Sequence, residues 1–188
     1  MPNINAGRGE GIRGNYGGLS AVYIINFSDP NYDPTVDETS RIVSDLNGSG
    51  STAVELYKFD LRGTSSFSQT MTGGGRATGT NVYTQTLSLS LKTVTAADNA
   101  QLRLLSQGRP RVVVRDYAGN LYLAGRQFGL EVTSIEAVNG AEPTDFVGYT
   151  LTLVGDEREF ANALTAGADL EDSTDATTFG VNVNLPAA

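Results

Sequence analysis

The 188-residue chain contains no cysteine, no histidine and no tryptophan. Without cysteine it can form no disulfide, thiolate nucleophile or zinc–thiolate site. Without histidine it lacks the commonest general base near neutral pH and the commonest metal ligand, so a Ser-His-Asp triad or an HExxH zinc site is excluded within one chain. This inventory argues against an enzyme, and no residue is assigned a catalytic role.

Positive charge is also scarce, since 13 Lys and Arg stand against 21 Asp and Glu and give a formal net charge of −8. A surface of this sign repels phosphate backbones, which argues against a protein that grips nucleic acid but allows one past which nucleic acid slides. No apolar run approaches the roughly 20 residues of a membrane-spanning helix, and no signal peptide is visible. We therefore expect no membrane partner and synthesis in the cytoplasm.

Glycine is abundant, with 22 residues, and it separates short β-branched and aromatic runs that are typical of strands. These runs cover residues 20–27, 53–59, 65–71, 81–92, 110–114, 121–123, 129–138 and 145–157. Because strands and helices do not alternate, the pattern predicts a mainly β fold, an antiparallel β-sandwich or barrel.

Two of these runs indicate how the strands are buried. In NVYTQTLSLSLK (81–92) apolar and polar residues alternate, which predicts one dry face and one face that is wet or covered by a partner. The predicted dry face carries Leu87, Leu89 and Leu91. In GRPRVVVRDYAGNLYLAG (108–125) the continuous run of Val112, Val113 and Val114 predicts a strand covered on both faces, with Gly119 in the turn that follows.

One helix is expected, at about residues 95–107. Thr95 is a good N-cap, Asp98 lies in the first turn and Gly108 is placed to end the helix. Its apolar stripe, expected to pack onto the sheet, consists of Leu102, Leu104 and Leu105.

The sequence divides into an arm at 1–18, a sandwich domain at 19–166 and an acidic tail at 167–188. The arm carries Arg8, Arg13 and Tyr16 and has little to bury, so it is either a frayed end or a segment that orders against a neighbour. Residues 159–166 are compatible with one or two helical turns.

Candidate ligand sites are few. Asp29, Asp33 and Asp37 could offer oxygen ligands to calcium, but their spacing does not match an EF-hand, and Asx turns explain them as well. The glycine-rich segments 7–14 and 72–80 lack the GxxxxGK[ST] phosphate loop, so no cofactor is expected. The charged run 156–159 is interpreted as a solvated turn.

Residues 82–157 contain an ordered set: TLSLSLK, a helix with an LRLL stripe, GRPRVVVRDYAGNLYLAG, FGLEVTS and GYTLTL. This set resembles the tail tube (major tail) structural proteins of tailed bacteriophages. The resemblance implies a two-sheet sandwich whose copies form rings, typically hexameric, with their sheets joined into one inner barrel. It implies location in the virion tail, contact with other tail proteins, and DNA passing through the lumen without specific binding.

The same resemblance implies roles for the segments outside the core. The polar face of residues 81–92 would line the lumen. The glycine-rich loop would dock onto the next ring, through Gly73, Gly74, Gly75, Arg76 and Thr78. The arm and the acidic tail would connect subunits. Two alternatives remain open at this point: a capsid decoration or head-fibre protein, and a calcium-dependent carbohydrate-binding sandwich.

Overall fold

The computed structural model describes residues 16–48, 50–61, 64–74 and 79–186. Arg8 and Arg13 of the arm, and Gly75, Arg76 and Thr78 of the glycine-rich loop, lie outside the described residues. Within these ranges the chain is mainly β, with antiparallel sheets and two helices. The expected β-sandwich with a flanking helix is confirmed.

Ten strands form the two main sheets of the structure. The six-stranded sheet has the order β11-β8-β7-β1-β4-β12. Its strands are β1 Leu19–Ile25, β4 Val54–Asp60, β7 Arg111–Asp116, β8 Leu121–Ala124, β11 Asn162–Ala163 and β12 Val181–Asn184. The four-stranded sheet has the order β5-β6-β10-β9. Its strands are β5 Ser66–Gly73, β6 Asn81–Lys92, β9 Glu131–Val138 and β10 Gly148–Glu157. A small hairpin adds β2 Thr35–Val36 and β3 Val43–Asp45.

The inner core lies between the two main sheets. The alternation of β6 places Leu87 and Leu89 there with almost no exposure, and Leu91 packs against them partly buried, as predicted. Val112 and Val114 of β7 face this core, whereas Val113 faces the opposite side of the same sheet. The prediction that this valine run is covered on both faces is therefore confirmed.

Helix α1, Ala96–Gln107, flanks the inner core. Thr95 caps it, because its hydroxyl accepts the N–H of Asp98 at 3.1 Å, and Leu102 is buried in the inner core. The prediction that Leu104 belongs to the apolar stripe packed on the sheet is wrong, because its side chain is 64% exposed. At 3.6 residues per turn, Leu104 is rotated by about 200° from Leu102 and faces away from the sheet.

A second core, the outer core, covers the far face of the six-stranded sheet. Tyr23, Ile25 and Val113 supply the sheet side, and the covering residues include Val43, Leu46, Leu164, Leu170 and Phe179. The sheet thus has a layer on each side.

The C-terminal segment is part of this outer core, which corrects the assignment of residues 167–188 as an acidic tail outside the domain. Asp172 and Gly180 cap a helix, α2 Ser173–Phe179, and β12 then pairs in parallel with β4. Glu171 and Asp172 are exposed, while Leu170 and Phe179 face the sheet and are 1% and 3% exposed. Burial of these two side chains makes the segment an integral layer.

Residues 159–166 also differ from expectation, because they form no helical turn. β11 pairs instead with the edge of β8, and the N–H of Leu164 donates to the carbonyl of Leu121 at 2.9 Å. An open strand edge offers backbone partners that outweigh a weak local helical preference.

We expect Leu170→Ala to lower the free energy of unfolding by about 2–5 kcal/mol, because it leaves a cavity in the outer core. The matched change Leu185→Ala removes a side chain that is 62% exposed in the same segment, and it should shift that free energy by no more than about 0.5 kcal/mol. Urea titration of both variants measures the difference. Equal small effects would mean that the segment is a dispensable tail.

Candidate assembly surfaces

The four-stranded sheet has one covered face and one free face. Since successive side chains of a strand point to opposite sides, the leucines of β6 turn inward and the residues between them point outward. The register of the sheet places these outward hydroxyl side chains in rows across the strands: Ser66, Ser68, Thr70 and Thr72; Thr84, Thr86, Ser88 and Ser90; Thr150 and Thr152; Ser134. We call this surface the hydroxyl face.

The charged groups of the hydroxyl face are mostly acidic. Asp156 lies opposite Thr84, whose hydroxyl donates to its carboxylate at 2.7 Å. Glu131 and Glu136 occupy outward positions on β9, and Lys92 lies at one end of β6. The face therefore combines short hydroxyl side chains with a negative balance, so it would hydrate well and would not attract phosphate.

Both edges of the four-stranded sheet are open. β5 and β9 end the strand order, and in the described part of the chain no further strand pairs with either. β9 is exposed along most of its length, including Ile135, which is 38% exposed. Open edges carry unpaired backbone donors and acceptors, which makes them templates for pairing with another chain.

The predicted hairpin of β5 and β6 is present in the structure. Gly73 pairs with Asn81, and the N–H of Gly74 donates to the carbonyl of Thr80 at 2.7 Å, so the strands stay paired up to the described limit of the loop. Tyr16 is the described member of the predicted arm and is 73% exposed.

The charged run 156–159 does not form a solvated turn. Glu157 is 4% exposed and accepts backbone N–H groups from Gln127 and Phe128 at 3.0 and 2.9 Å. Glu159 pairs with both Arg41 and Arg126. These contacts join three loops at one end of the sandwich, and nothing in local spacing signals them because the partners are distant in sequence.

Two of the three aspartates considered above as calcium ligands, Asp29 and Asp37, accept backbone N–H groups in local turns. Asp29 accepts the N–H groups of Asn31 and Glu55 at 2.9 and 3.1 Å, and Asp37 accepts those of Thr39 and Ser40. Bonds from Ser40 and Thr39 hold the pKa of Asp37 below its ordinary value. Among the described residues no three acidic side chains are grouped closely enough to hold a metal ion. The Asx-turn interpretation accounts for Asp29 and Asp37.

No helix in the described ranges has the length and apolar character to cross a membrane. Comparisons with protein-family models, with curated proteins and with solved structures found no match for this chain.

Asp145 stabilises the loop between β9 and β10 through hydrogen bonds to its backbone. Its carboxylate accepts the N–H groups of Glu142 and Ala141 at 2.9 and 2.8 Å, and these bonds hold its pKa below the ordinary value. Because the folded pKa is depressed, the stabilisation is complete above the unfolded pKa and is lost as pH falls through the folded pKa.

We therefore expect the Asp145 carboxyl resonance to titrate below pH 3.8 in an NMR titration. The amides of Ala141 and Glu142 should gain exchange protection above that midpoint. Asp145→Asn removes the titrating group and should abolish this change. A midpoint at or above the ordinary value would contradict the capping role.

Proposed function

We propose that this chain is a self-assembling virion structural protein, the tail tube subunit of a tailed bacteriophage. Its copies form stacked rings, hexameric as is typical of such tubes, around a channel that conducts DNA, and no catalytic step is involved. The observation that carries the proposal is a four-stranded antiparallel sheet that is open at both edges and has a hydroxyl-rich, acidic free face.

The strand directions support closure into a ring. Along the order β5-β6-β10-β9 every neighbour is antiparallel, so the two edge strands run in opposite directions. When copies are related by rotation about a ring axis, β5 of one copy lies beside β9 of the next, and these two strands still run in opposite directions. The joint is therefore antiparallel at every interface, and the sheets merge into one continuous barrel whatever the number of subunits.

Charge favours this joint over the pairing of two β9 edges. β9 carries Glu131 and Glu136, whereas β5, SFSQTMTG, carries no charge. Two β9 strands side by side would bring glutamates close together, which is unfavourable across a strand pair, while β9 beside β5 has no such repulsion. Heterologous pairing leaves no open edge of the four-stranded sheets in the closed ring.

The free face would then line the channel. Serine and threonine side chains keep a hydration layer at the wall, and the acids repel the phosphates of passing DNA. A net charge of −8 per chain adds to this repulsion. DNA would slide through without being retained.

The edge joint is tested with Ile135→Lys, which puts a charge on the exposed β9 edge. We expect rings and tubes in negative-stain images of the purified wild type, and monomers for this variant. Leu104→Lys makes a comparable change at an exposed position of α1 that faces away from the sheet, and should assemble normally.

Circular dichroism melts of both variants check that the fold is retained. Rings formed by Ile135→Lys at wild-type yield would refute the edge joint. Compact trimers or monomers of the wild type, across a range of concentrations, would refute the tube.

The role of the glycine-rich loop has a separate test. Deleting residues 73–79 should prevent rings from stacking but leave the fold and the single rings intact, because the hairpin is paired up to that point. Sedimentation velocity separates single rings from stacks. Tubes of normal length from the deletion variant would contradict a docking role for the loop.

A further inference from the structure

Arginine is concentrated at one end of the sandwich, the end from which the β5–β6 hairpin projects. Glu157, the last residue of β10, lies opposite Tyr83 near the start of β6, so Arg158 follows at this end. Arg126 and Arg41 reach the same end through Glu159, and Arg109 reaches it through Glu131 at 2.8 Å.

Aromatic rings lie among these arginines. Arg111 is held between Phe27 and Tyr32, with its guanidinium carbon 4.2 and 3.9 Å from the ring centres. Arg158 lies over Phe128 at 5.6 Å, and Phe160 contacts Tyr83 edge-on at 4.7 Å. We call the surface formed by Phe27, Arg111, Phe128, Arg158 and Phe160 the arginine–aromatic end.

This surface has the composition of a binding hot spot in a protein–protein interface, where aromatic residues and arginine are enriched. Phe27, Phe128 and Phe160 are 42%, 46% and 50% exposed. The loops beneath them are held in place by Gln85, which accepts the N–H of Gly125 at 2.9 Å, and by the buried Glu157. The exposed rings are therefore presented on a preorganised backbone, which lowers the entropic cost of docking.

The arginines at this end differ in how free they are to bind a carboxylate of another molecule. Arg41 and Arg126 pair with Glu159, Arg109 pairs with Glu131, and Arg111 lies between its rings. Arg158 is exposed, and its contact in the structure is the face of Phe128. It is therefore the arginine placed to meet a carboxylate of another molecule.

The opposite end of the sandwich has the complementary character. Gly148 at the start of β10 lies opposite Lys92, so the β9–β10 loop projects from this end. The loop exposes Phe146 and Val147 together with Glu142 and Asp145. With Glu136 near the end of β9, acidic groups outnumber Lys92 here. We call this surface the acidic end.

We infer that the arginine–aromatic end of one copy docks onto the acidic end of the next copy of this chain, with Arg158 meeting the carboxylates of the β9–β10 loop. Both surfaces combine exposed apolar side chains with charge, and their available charges are opposite. Because they lie at opposite ends of one molecule, the contact is head-to-tail and does not close on itself, so it generates a stack with a defined direction. The inference rests on the proposed tube and names the surfaces that join its rings.

Charge reversal tests the pairing. Arg158→Glu and Glu142→Lys each place like charges across the proposed contact, which opposes association. We expect each variant alone to form single rings, with the ring–ring association constant from sedimentation velocity reduced about tenfold or more, equivalent to about 1.4 kcal/mol for each ring–ring junction. Arg103→Glu, which reverses an exposed arginine on α1, should stack like the wild type.

A mixture of the two reversed proteins gives the decisive result. When rings of the two variants are mixed in equal amounts, the arginine–aromatic end of Arg158→Glu can dock onto the acidic end of Glu142→Lys with opposite charges. The unchanged ends of the two variants also carry opposite charges, so stacking of alternating rings should return. Stacks of wild-type length from either variant alone would overturn the inference and leave the proposed ring intact. Failure of the mixture to stack, or loss of stacking in Arg103→Glu, would also overturn it.

A wild-type protein that forms neither rings nor stacks refutes the proposed function itself, and the inference with it. Both reversed positions are exposed, and matching circular dichroism melts verify that the variants fold.

Discussion

The fold depends on the need to cover the six-stranded sheet on both faces. Its central strands, β1 and β7, alternate between two apolar sets: Val22 and Val114 face the inner core, while Tyr23 and Val113 face the outer core. A sheet with apolar side chains on both sides is stable only between two layers. The four-stranded sheet and α1 supply one layer, and the segments 32–46 and 164–179 supply the other.

The four-stranded sheet has no such requirement, and this difference determines where the surfaces for assembly lie. Its leucines face the inner core, and its other face needs no cover because hydroxyl side chains and carboxylates interact well with water. In the described part of the chain no further strand pairs with either of its edge strands. The six-stranded sheet therefore serves as the scaffold, whereas the four-stranded sheet carries the free polar face.

Much of the secondary structure and of the inner core could be predicted from the local pattern of apolar and polar residues in the sequence. The alternation around Leu87 and Leu89, the valine run of β7 and the Thr95 cap each depend on neighbouring residues, so their period or spacing identifies them. The role of residues 167–184 could not be predicted in this way. Its acids suggest a solvated tail, and the burial of Leu170 and Phe179 becomes evident only when the uncovered face of the sheet lies beside them.

The amino-acid sequence by itself determined the mainly β class, the dry face of β6, the doubly buried β7 and the limits of α1, because periodicity and capping are local properties. Only the tertiary structure decided that β12 pairs with β4 and that Glu159 joins Arg41 to Arg126. It also decided that the arginines gather at one end and the β9–β10 loop carboxylates at the other. These relations join residues far apart in the chain, and their energies depend on distances that exist only after the sheets have formed.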